Sequence, residues 1–174
     1  MSKKYLTPIL LSTFLLASCG GGSDSINGVA IDGNLYNARA FLDLNANGVY
    51  DAGEPTAMTE SDGRFRLRAN AAQRSTSAVV VSAIAGTTID QDAPGVTIAN
   101  SFSMTAPVGS PEVISPLTTH VAAKVKSGLS LAAAQTAVQT ELGLTGLDVM
   151  KNFVELKLTD PTYEDAYKVA VAVA

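Results

Sequence analysis

The feature that most limits the possible folds is an abrupt change of residue pattern near Pro111 in this 174-residue chain. Before that point, short apolar runs alternate with Gly, Asn and Asp at intervals of roughly ten residues, which is typical of short strands joined by turns. After it, Ala, Leu, Val, Lys and Gln recur at helical spacing. The pattern predicts an α+β chain: an N-terminal antiparallel β-sandwich followed by a small C-terminal helical region.

Strands are predicted wherever a short apolar or β-branched run lies between turn residues. They are expected at residues 27–31, 38–42, 56–59, 64–68, 78–84, 96–99 and 101–105. The run at 64–68 alternates arginine with apolar residues, so Phe65 and Leu67 should face the core and the arginines should face solvent. That arginine row is either an anion site or, as is more common, a solvated sheet face that discourages edge pairing.

Helices are predicted in the second part from periodicity and from cap residues. They are expected at residues 117–126, 130–142 and, with a weaker pattern, 147–152. Ser115 and Pro116 precede the first helix, while Ser130 suits the N-cap of the second and Gly143 its end. These residues set the boundaries of a small helical layer.

A last helix is predicted to begin at Asp160 and Pro161, with Glu164 and Asp165 in the first turn, where the helix dipole favours negative charge. Apolar side chains occupy more than one of its faces: Tyr163, Tyr167, Val169, Val171 and Val173. The helix reaches Ala174 without Gly, Pro or a basic last turn. We therefore expect either that the chain continues past Ala174 or that a partner covers this helix.

Composition argues against several classes of function. One His, one Cys and no Trp exclude a Cys/His zinc cluster and leave no aromatic platform for single-stranded nucleic acid. The net charge is −4 and the basic residues are scattered, so no nucleic-acid partner is expected. His120 has no nucleophile placed near it by the sequence and is interpreted as a surface or boundary histidine, not as a general base. We expect no catalysis.

One stretch has the pattern of a metal site. Residues 43–54 match a twelve-residue, EF-hand-like calcium loop, in which Gly48 occupies the position of the sharp turn. The candidate ligands are Asp43, Asn45, Asn47, the carbonyl of Val49, Asp51 and Glu54. Calcium prefers six to eight hard oxygen ligands at flexible distances. The sequence therefore predicts calcium as the cofactor of this loop.

The residues on either side of the loop differ from those of an EF-hand. Gly33, Asn34 and Asn37 oppose a long helix before the loop, and Pro55 with Thr56 indicates a strand after it. The arrangement is therefore strand, loop, strand. An Asn- and Gly-rich hairpin that binds nothing is the alternative, since both residues favour turns. We favour calcium because a simple turn gives no reason for carboxylates at the ninth and twelfth positions.

The N-terminus has the pattern of an export signal. Residues 1–18 combine Lys3 and Lys4 with an apolar run at 9–16, which is shorter than the roughly 20 residues that a membrane span needs. Leu16-Ala17-Ser18-Cys19 then resembles the lipobox of bacterial lipoproteins.

The lipobox resemblance implies that Cys19 is lipidated and becomes the first residue of the mature protein, which several acyl chains hold on its membrane. Residues 19–25 would be the lipidated Cys and a Gly/Ser tether. Gly20 stands where lipoproteins kept at the inner membrane often have Asp, so the resemblance favours the outer membrane. Its periplasmic and surface faces both remain open.

The segments at 28–33, 38–48, 51–55 and 61–65 resemble the calcium-bearing B-type repeats of serine-aspartate surface adhesins. They are also similar to carboxypeptidase-regulatory-like, transthyretin-type sandwiches with Greek-key topology. The resemblance covers roughly residues 26–70 and implies a rigid spacer or display unit that calcium stiffens. Residues 113–119 and 128–130 are similar to a segment that follows such modules in proteobacterial surface lipoproteins.

Together these features predict a sandwich with its calcium loop over residues 26–111 and a helical region over 112–174. The expected function is that of a lipid-anchored cell-envelope protein with a structural or display module. The alternative is a glycan-, peptide- or protein-binding accessory module of a larger surface or secretion system. The oligomeric state is left open.

Overall fold

The computed structural model describes residues 25–174. The predicted export signal, Cys19 and all of the predicted tether except Ser25 lie outside the described residues. All strands except β9 lie in the first part and all helices except α1 lie in the second, so the α+β prediction is confirmed. Ser25 is buried in the first strand, which therefore begins inside the predicted tether.

The strands and helices follow one another with short connections. The strands are β1 (Ser25–Ala30), β2 (Leu35–Tyr36), β3 (Arg39–Asp43), β4 (Thr56–Met58), β5 (Arg64–Arg68), β6 (Ala78–Ala83), β7 (Ile89–Asp90), β8 (Phe102–Ala106) and β9 (Val113–Ile114). The helices are α1 (Ala71–Thr76), α2 (Pro116–Lys126), α3 (Leu131–Glu141), α4 (Phe153–Leu156) and α5 (Tyr163–Val173).

Two sheets share one hydrophobic core. An antiparallel sheet has the order β4-β3-β6-β8, and a smaller sheet has the order β5-β1-β9, in which β1 runs antiparallel to β5 and parallel to β9. Strands β2 and β7 form a separate pair. Side chains of both larger sheets meet in the core: Ile26, Leu42, Phe65, Leu67, Val79, Val81, Met104 and Ile114. Their burial is the main stabilising contribution in this half of the molecule.

A second core joins the smaller sheet to the helices. Val29 of β1 and Ile31, which directly follows β1, project from the opposite face because successive residues of an extended chain alternate between faces. They pack with side chains of the helical region: Leu117, Val121, Val138, Phe153 and Ala166. The expected boundary at 111/112 falls just before β9, which pairs with β1. The helical layer is thus packed directly on the β-region.

Helix α2 also closes an open sheet edge. The Thr119 hydroxyl accepts a hydrogen bond from the backbone N–H of Thr105 on β8 (2.9 Å) and donates one to the carbonyl of Ser115 (2.7 Å). Ser115 and Thr118 form a reciprocal capping box at the start of α2, as the Ser-Pro sequence favours. Covering β8 in this way removes an exposed strand edge.

Three predicted elements were placed incorrectly. Residues 96–99, all of them described, form only an isolated bridge between Thr97 and Ile89, directly after a turn at Gly95 (φ +83°). Residues 147–152 form turns, and α4 follows them, capped by the Asn152 side chain. The last helix begins at Tyr163 because the Asp160 carboxylate accepts the Thr162 N–H and completes a separate turn first.

Helix α5 buries one face and leaves another partly open. Ala166 and Ala170 are buried against the second core, with Tyr163 and Tyr167 packed beside them. Val171 is 51% exposed, so one apolar side chain of this helix lies at the surface of the described chain. Continuation past Ala174 or cover by a partner stays a prediction.

Candidate functional site

The predicted calcium loop connects β3 to β4, as the strand, loop, strand pattern indicates. It folds back onto the outer face of β3 through Tyr50. The Tyr50 ring meets the buried Phe41 ring edge-on, with centroids 5.8 Å apart, and the Arg39 guanidinium carbon lies 4.7 Å from the Tyr50 centroid. These contacts attach the exposed middle of the loop to the sheet.

The carboxylates at the two ends of the loop are buried. Asp43 is 6% exposed and Glu54 is 8% exposed. Asp43 accepts backbone N–H groups from Asn47 (3.1 Å) and Gly48 (2.8 Å). Glu54 accepts those of Leu44 (2.8 Å) and Asp51 (3.0 Å), one from each side of the loop. Both carboxylates are thus held by backbone donors, and none of the salt bridges within residues 25–174 includes either of them.

The remaining polar side chains of the loop converge on Asp51. Its Oδ2 accepts amide N–H groups from Asn45 (2.8 Å) and Asn47 (2.7 Å). The carboxamide oxygen of Asn45 accepts the Asn47 N–H, and that of Asn47 accepts the Val49 N–H (2.7 Å). The structure therefore brings all five predicted side-chain ligands into one hydrogen-bonded loop.

The backbone of the loop follows a tight path. Gly48 has φ +77° and Gly53 has φ +102°, both in the region that only glycine adopts readily. Ala46 also has a positive φ, 58°. Val49, whose carbonyl is the predicted ligand at the seventh position, leaves its side chain 63% exposed. The sharp turn expected at Gly48 is present.

The donor set has the chemistry that calcium prefers: three carboxylates, two carboxamide oxygens and one carbonyl. Two observations limit the fit. Residues 25–174 contain no group of three or more His, Cys, Asp or Glu side chains placed to hold a metal ion. In addition, Asn45 and Asn47 turn their amide nitrogens toward Asp51. Calcium binding therefore requires the two amide groups to rotate so that oxygens face the ion.

The arginine row on β5 has the expected orientation. Phe65 and Leu67 are buried, whereas the arginines are exposed. Arg64 forms salt bridges with Asp62 (Nε–Oδ2, 3.3 Å) and with Glu155 on α4 (Nη2–Oε1, 2.7 Å). This first arginine therefore pairs with carboxylates of the protein itself.

His120, which the sequence analysis interpreted as a surface or boundary histidine, is exposed on α2.

The sequence analysis missed a cluster of carboxylates at the junction of the β-region and α5. Asp90 and Asp92 lie beside Asp32, and the Tyr167 hydroxyl donates to Asp92 Oδ2 at 2.6 Å. Burial, with the nearby charges of Asp90 and Asp92, raises the pKa of Asp32 to about 6, and burial raises the pKa of Asp90 as well. The hydrogen bond to Asp92 raises the pKa of Tyr167 to about 12. No local motif marks this cluster, because its members come from three distant segments.

Comparison of the chain with protein families, with curated proteins and with solved structures finds no match. Among the described helices, none is long and apolar enough to cross a membrane.

Proposed function

We propose that this chain is a lipid-anchored cell-envelope protein whose β-region is a structural or display module stiffened by calcium, without catalytic activity. The observation that carries the proposal is the pair of buried carboxylates, Asp43 and Glu54, at opposite ends of one loop. Backbone N–H groups hydrogen-bond both carboxylates, but neither forms a salt bridge with a described side chain, so a bound cation would neutralise charge that no side chain neutralises.

Calcium in this loop would act as a brace between β3 and β4. Glu54 already joins the beginning and the middle of the loop through the N–H groups of Leu44 and Asp51. A cation at Asp51 would take the place of the two amide N–H groups that now face its carboxylate. Because Tyr50 packs on Phe41, a rigid loop would also restrict the outer face of β3.

We assign the β-region to a transthyretin-type sandwich with Greek-key connections, similar to B-type repeats. The shared core of the β4-β3-β6-β8 and β5-β1-β9 sheets supports this assignment. A sandwich of this kind suits a spacer or display role, because its packed core resists deformation.

The membrane anchor in this proposal is a lipid on Cys19, and its support is the lipobox sequence at 16–19. Mass spectrometry of the mature protein should find an acylated Cys19 as the first residue. A Cys19→Ala variant should remain unprocessed and unacylated. Processing at the same bond with retention on the membrane in that variant would contradict the anchor.

A polar groove favours a second candidate, an accessory module that binds a glycan or peptide. A cavity of about 510 Å³ lies where the β5-β1-β9 sheet meets the helical region and includes Glu60, Arg66, Glu112 and Lys151. Such mixed charge suits a ligand with both donors and acceptors. Titration with short oligosaccharides and zwitterionic peptides, followed by NMR, should shift the amide signals of Asn27 and Arg66 if this candidate is correct.

Calorimetric titration of the full chain with calcium tests the main proposal. We expect one site with a dissociation constant on the order of 10⁻⁵ to 10⁻³ M, as in extracellular modules, and weaker binding of magnesium. Glu54→Gln keeps the shape of the side chain but removes a charge, and should abolish the binding heat. Glu60→Gln is the matched control, because Glu60 is exposed and outside the loop.

Circular dichroism of each variant would verify its folding, and Asp51→Asn provides a second test at an exposed ligand position. A wild-type protein that releases no heat at millimolar calcium, or a Glu54→Gln protein that binds as tightly as wild type, would contradict the calcium site.

A further inference from the structure

The carboxylate cluster lies where α5 is fastened to the β-region. Asp32 follows the end of β1, Asp90 ends β7 and Asp92 lies two residues further along. Tyr167, in the second turn of α5, reaches Asp92 with a short hydrogen bond of 2.6 Å. This hydrogen bond joins α5 directly to the segment after β7.

The cluster is tightly packed around the backbone at Gly33. A Cβ atom on Gly33 would stand 2.0 Å from Asp90 Oδ1 and 2.7 Å from Asp92 Oδ2. The carboxylates of Asp90 and Asp92 therefore fill the space beside the backbone of the turn that contains Asp32. Asp32 Oδ1 is buried and accepts no hydrogen bond from the described residues. An ionised Asp32 is thus placed beside two like charges without a donor for one of its oxygens, which is an unfavourable arrangement.

The other charged groups around the cluster do not cancel this repulsion. From α5, Glu164 adds another negative charge near Tyr167. Lys157, which follows α4, lies with its Nζ 3.0 Å from the Tyr167 ring centroid and so faces the ring. The backbone N–H of Asp92 donates to Asp90 Oδ1 at 2.9 Å and partly compensates that carboxylate.

We propose that this cluster is a pH-sensitive fastening between the β-region and α5, closed when Asp32 is protonated and loosened when all three carboxylates are ionised. Protonation removes one of three facing charges and turns Asp32 into a hydrogen-bond donor for the carboxylates beside it. Asp92 can then stay close to the turn at Gly33 while it accepts the Tyr167 hydroxyl. Ionisation pushes the segment after β7 away and weakens its hold on α5. The proposal does not depend on calcium in the loop at 43–54.

The direction of the pH effect follows from the raised pKa of the Asp32 carboxyl group. The pKa of Asp32 is raised from 3.8 to about 6 in the folded protein. A carboxyl group whose pKa is higher in the folded than in the unfolded protein stabilises the fold while it is protonated. That stability is fully present below the unfolded pKa and is lost as pH rises through the folded pKa. The raised pKa of Asp90 acts in the same direction. The fastening should therefore be tightest in mild acid and weakest at neutral pH.

Amide hydrogen exchange of the full chain tests this fastening. Protection of α5, expressed relative to α3 at each pH to remove the intrinsic pH dependence of exchange, should fall about tenfold between about pH 5 and pH 7.5. Asp32→Asn, an uncharged isostere of the protonated acid, should keep the acidic level of protection at both pH values. Asp165→Asn is the control, since Asp165 is an exposed carboxylate on the same helix and should leave the pH dependence unchanged.

Tyr167→Phe separates the fastening from general stability, because it removes only the hydrogen bond to Asp92. It should lower α5 protection in acid to the neutral level and leave α3 unaffected. If Asp32→Asn does not fold, Asp90→Asn should reduce the pH dependence of α5 in its place.

Equal α5 protection at both pH values, or full pH dependence in Asp32→Asn, would overturn the proposal. A second result would also overturn it: calcium restores α5 protection at neutral pH, and Asp32 is needed for that effect. The cluster would then be a cation site and not a proton-controlled fastening.

Discussion

At the scale of single residues, Gly63 shows how closely the β4–β5 turn approaches β1. Its carbonyl accepts the Ala30 N–H at 2.9 Å, and a Cβ atom on Gly63 would stand 2.5 Å from the Ala30 carbonyl oxygen. Its φ of +77° is also one that side chains with a Cβ rarely adopt. Two separate constraints, backbone contact and conformation, therefore require glycine here.

Gly63→Ala should lower the free energy of unfolding by about 3 kcal/mol, because the substitution adds steric overlap with backbone to conformational strain. Gly86→Ala is the matched control: Gly86 has φ +70° but open space around the Cβ position, so only about 1 kcal/mol is expected. Urea unfolding of both variants measures the difference. Equal losses in the two would show that the close approach to Ala30 contributes nothing.

At the scale of elements, the loop and the strand before it form one unit through aromatic contacts. Tyr50 lies between Phe41, which it meets edge-on, and Arg39, which stacks over its ring. The loop is otherwise closed by hydrogen bonds to its own carboxylates. Tyr50 thus packs the loop against β3, in addition to the hydrogen bonds that Asp43 of β3 accepts from the loop.

Tyr50→Ala should destabilise the protein by about 1–2 kcal/mol through loss of the ring contacts. Tyr50→Phe keeps those contacts and should change stability by less than about 0.5 kcal/mol. Chemical denaturation followed by circular dichroism provides both values. A large loss in Tyr50→Phe would instead assign the effect to the hydroxyl group.

Elements with a strong local pattern were predictable. The alternation at 64–68 correctly placed Phe65 and Leu67 in the core, and Ser115 and Ser130 correctly marked two helix starts. Pairs such as β2–β7 were missed because each strand has only two residues, too few for a periodicity. The start of α5 was misplaced because the Asp160 side chain stabilises a turn that competes with the helix.

The same distinction applies to the two candidate sites. The loop at 43–54 is continuous in sequence, so its ligand positions could be counted directly. The cluster of Asp32, Asp90, Asp92 and Tyr167 depends on tertiary packing, and its only sequence signal is the pair of carboxylates two residues apart at the end of β7. Hydrogen bonds between the Asn amides and Asp51 were likewise not predictable from spacing.

At the scale of the whole molecule, β1 takes part in both hydrophobic cores. Ile26 and Ala30 face the core between the sheets, while Val29 and Ile31 face the helices. Strand β9, which leads directly into α2, pairs with β1 as well. The β-region and the helical region therefore depend on one strand and should not unfold independently.

We expect a single cooperative thermal transition for the full chain, because loss of β1 removes both cores at once. Differential scanning calorimetry should give a calorimetric enthalpy equal to the van't Hoff enthalpy. Two resolved transitions, one for each region, would contradict this coupling.

The central claim is that calcium stiffens the β-region through the loop between β3 and β4. Hydrogen exchange of the full chain with calcium, compared with the same chain in chelator, tests it most directly. We expect millimolar calcium to slow exchange in residues 43–54 by about tenfold or more relative to α3, by linkage between binding and local opening. Magnesium at the same concentration should do much less, and Glu54→Gln should remove the effect. Unchanged exchange in residues 43–54 on addition of calcium would contradict the account.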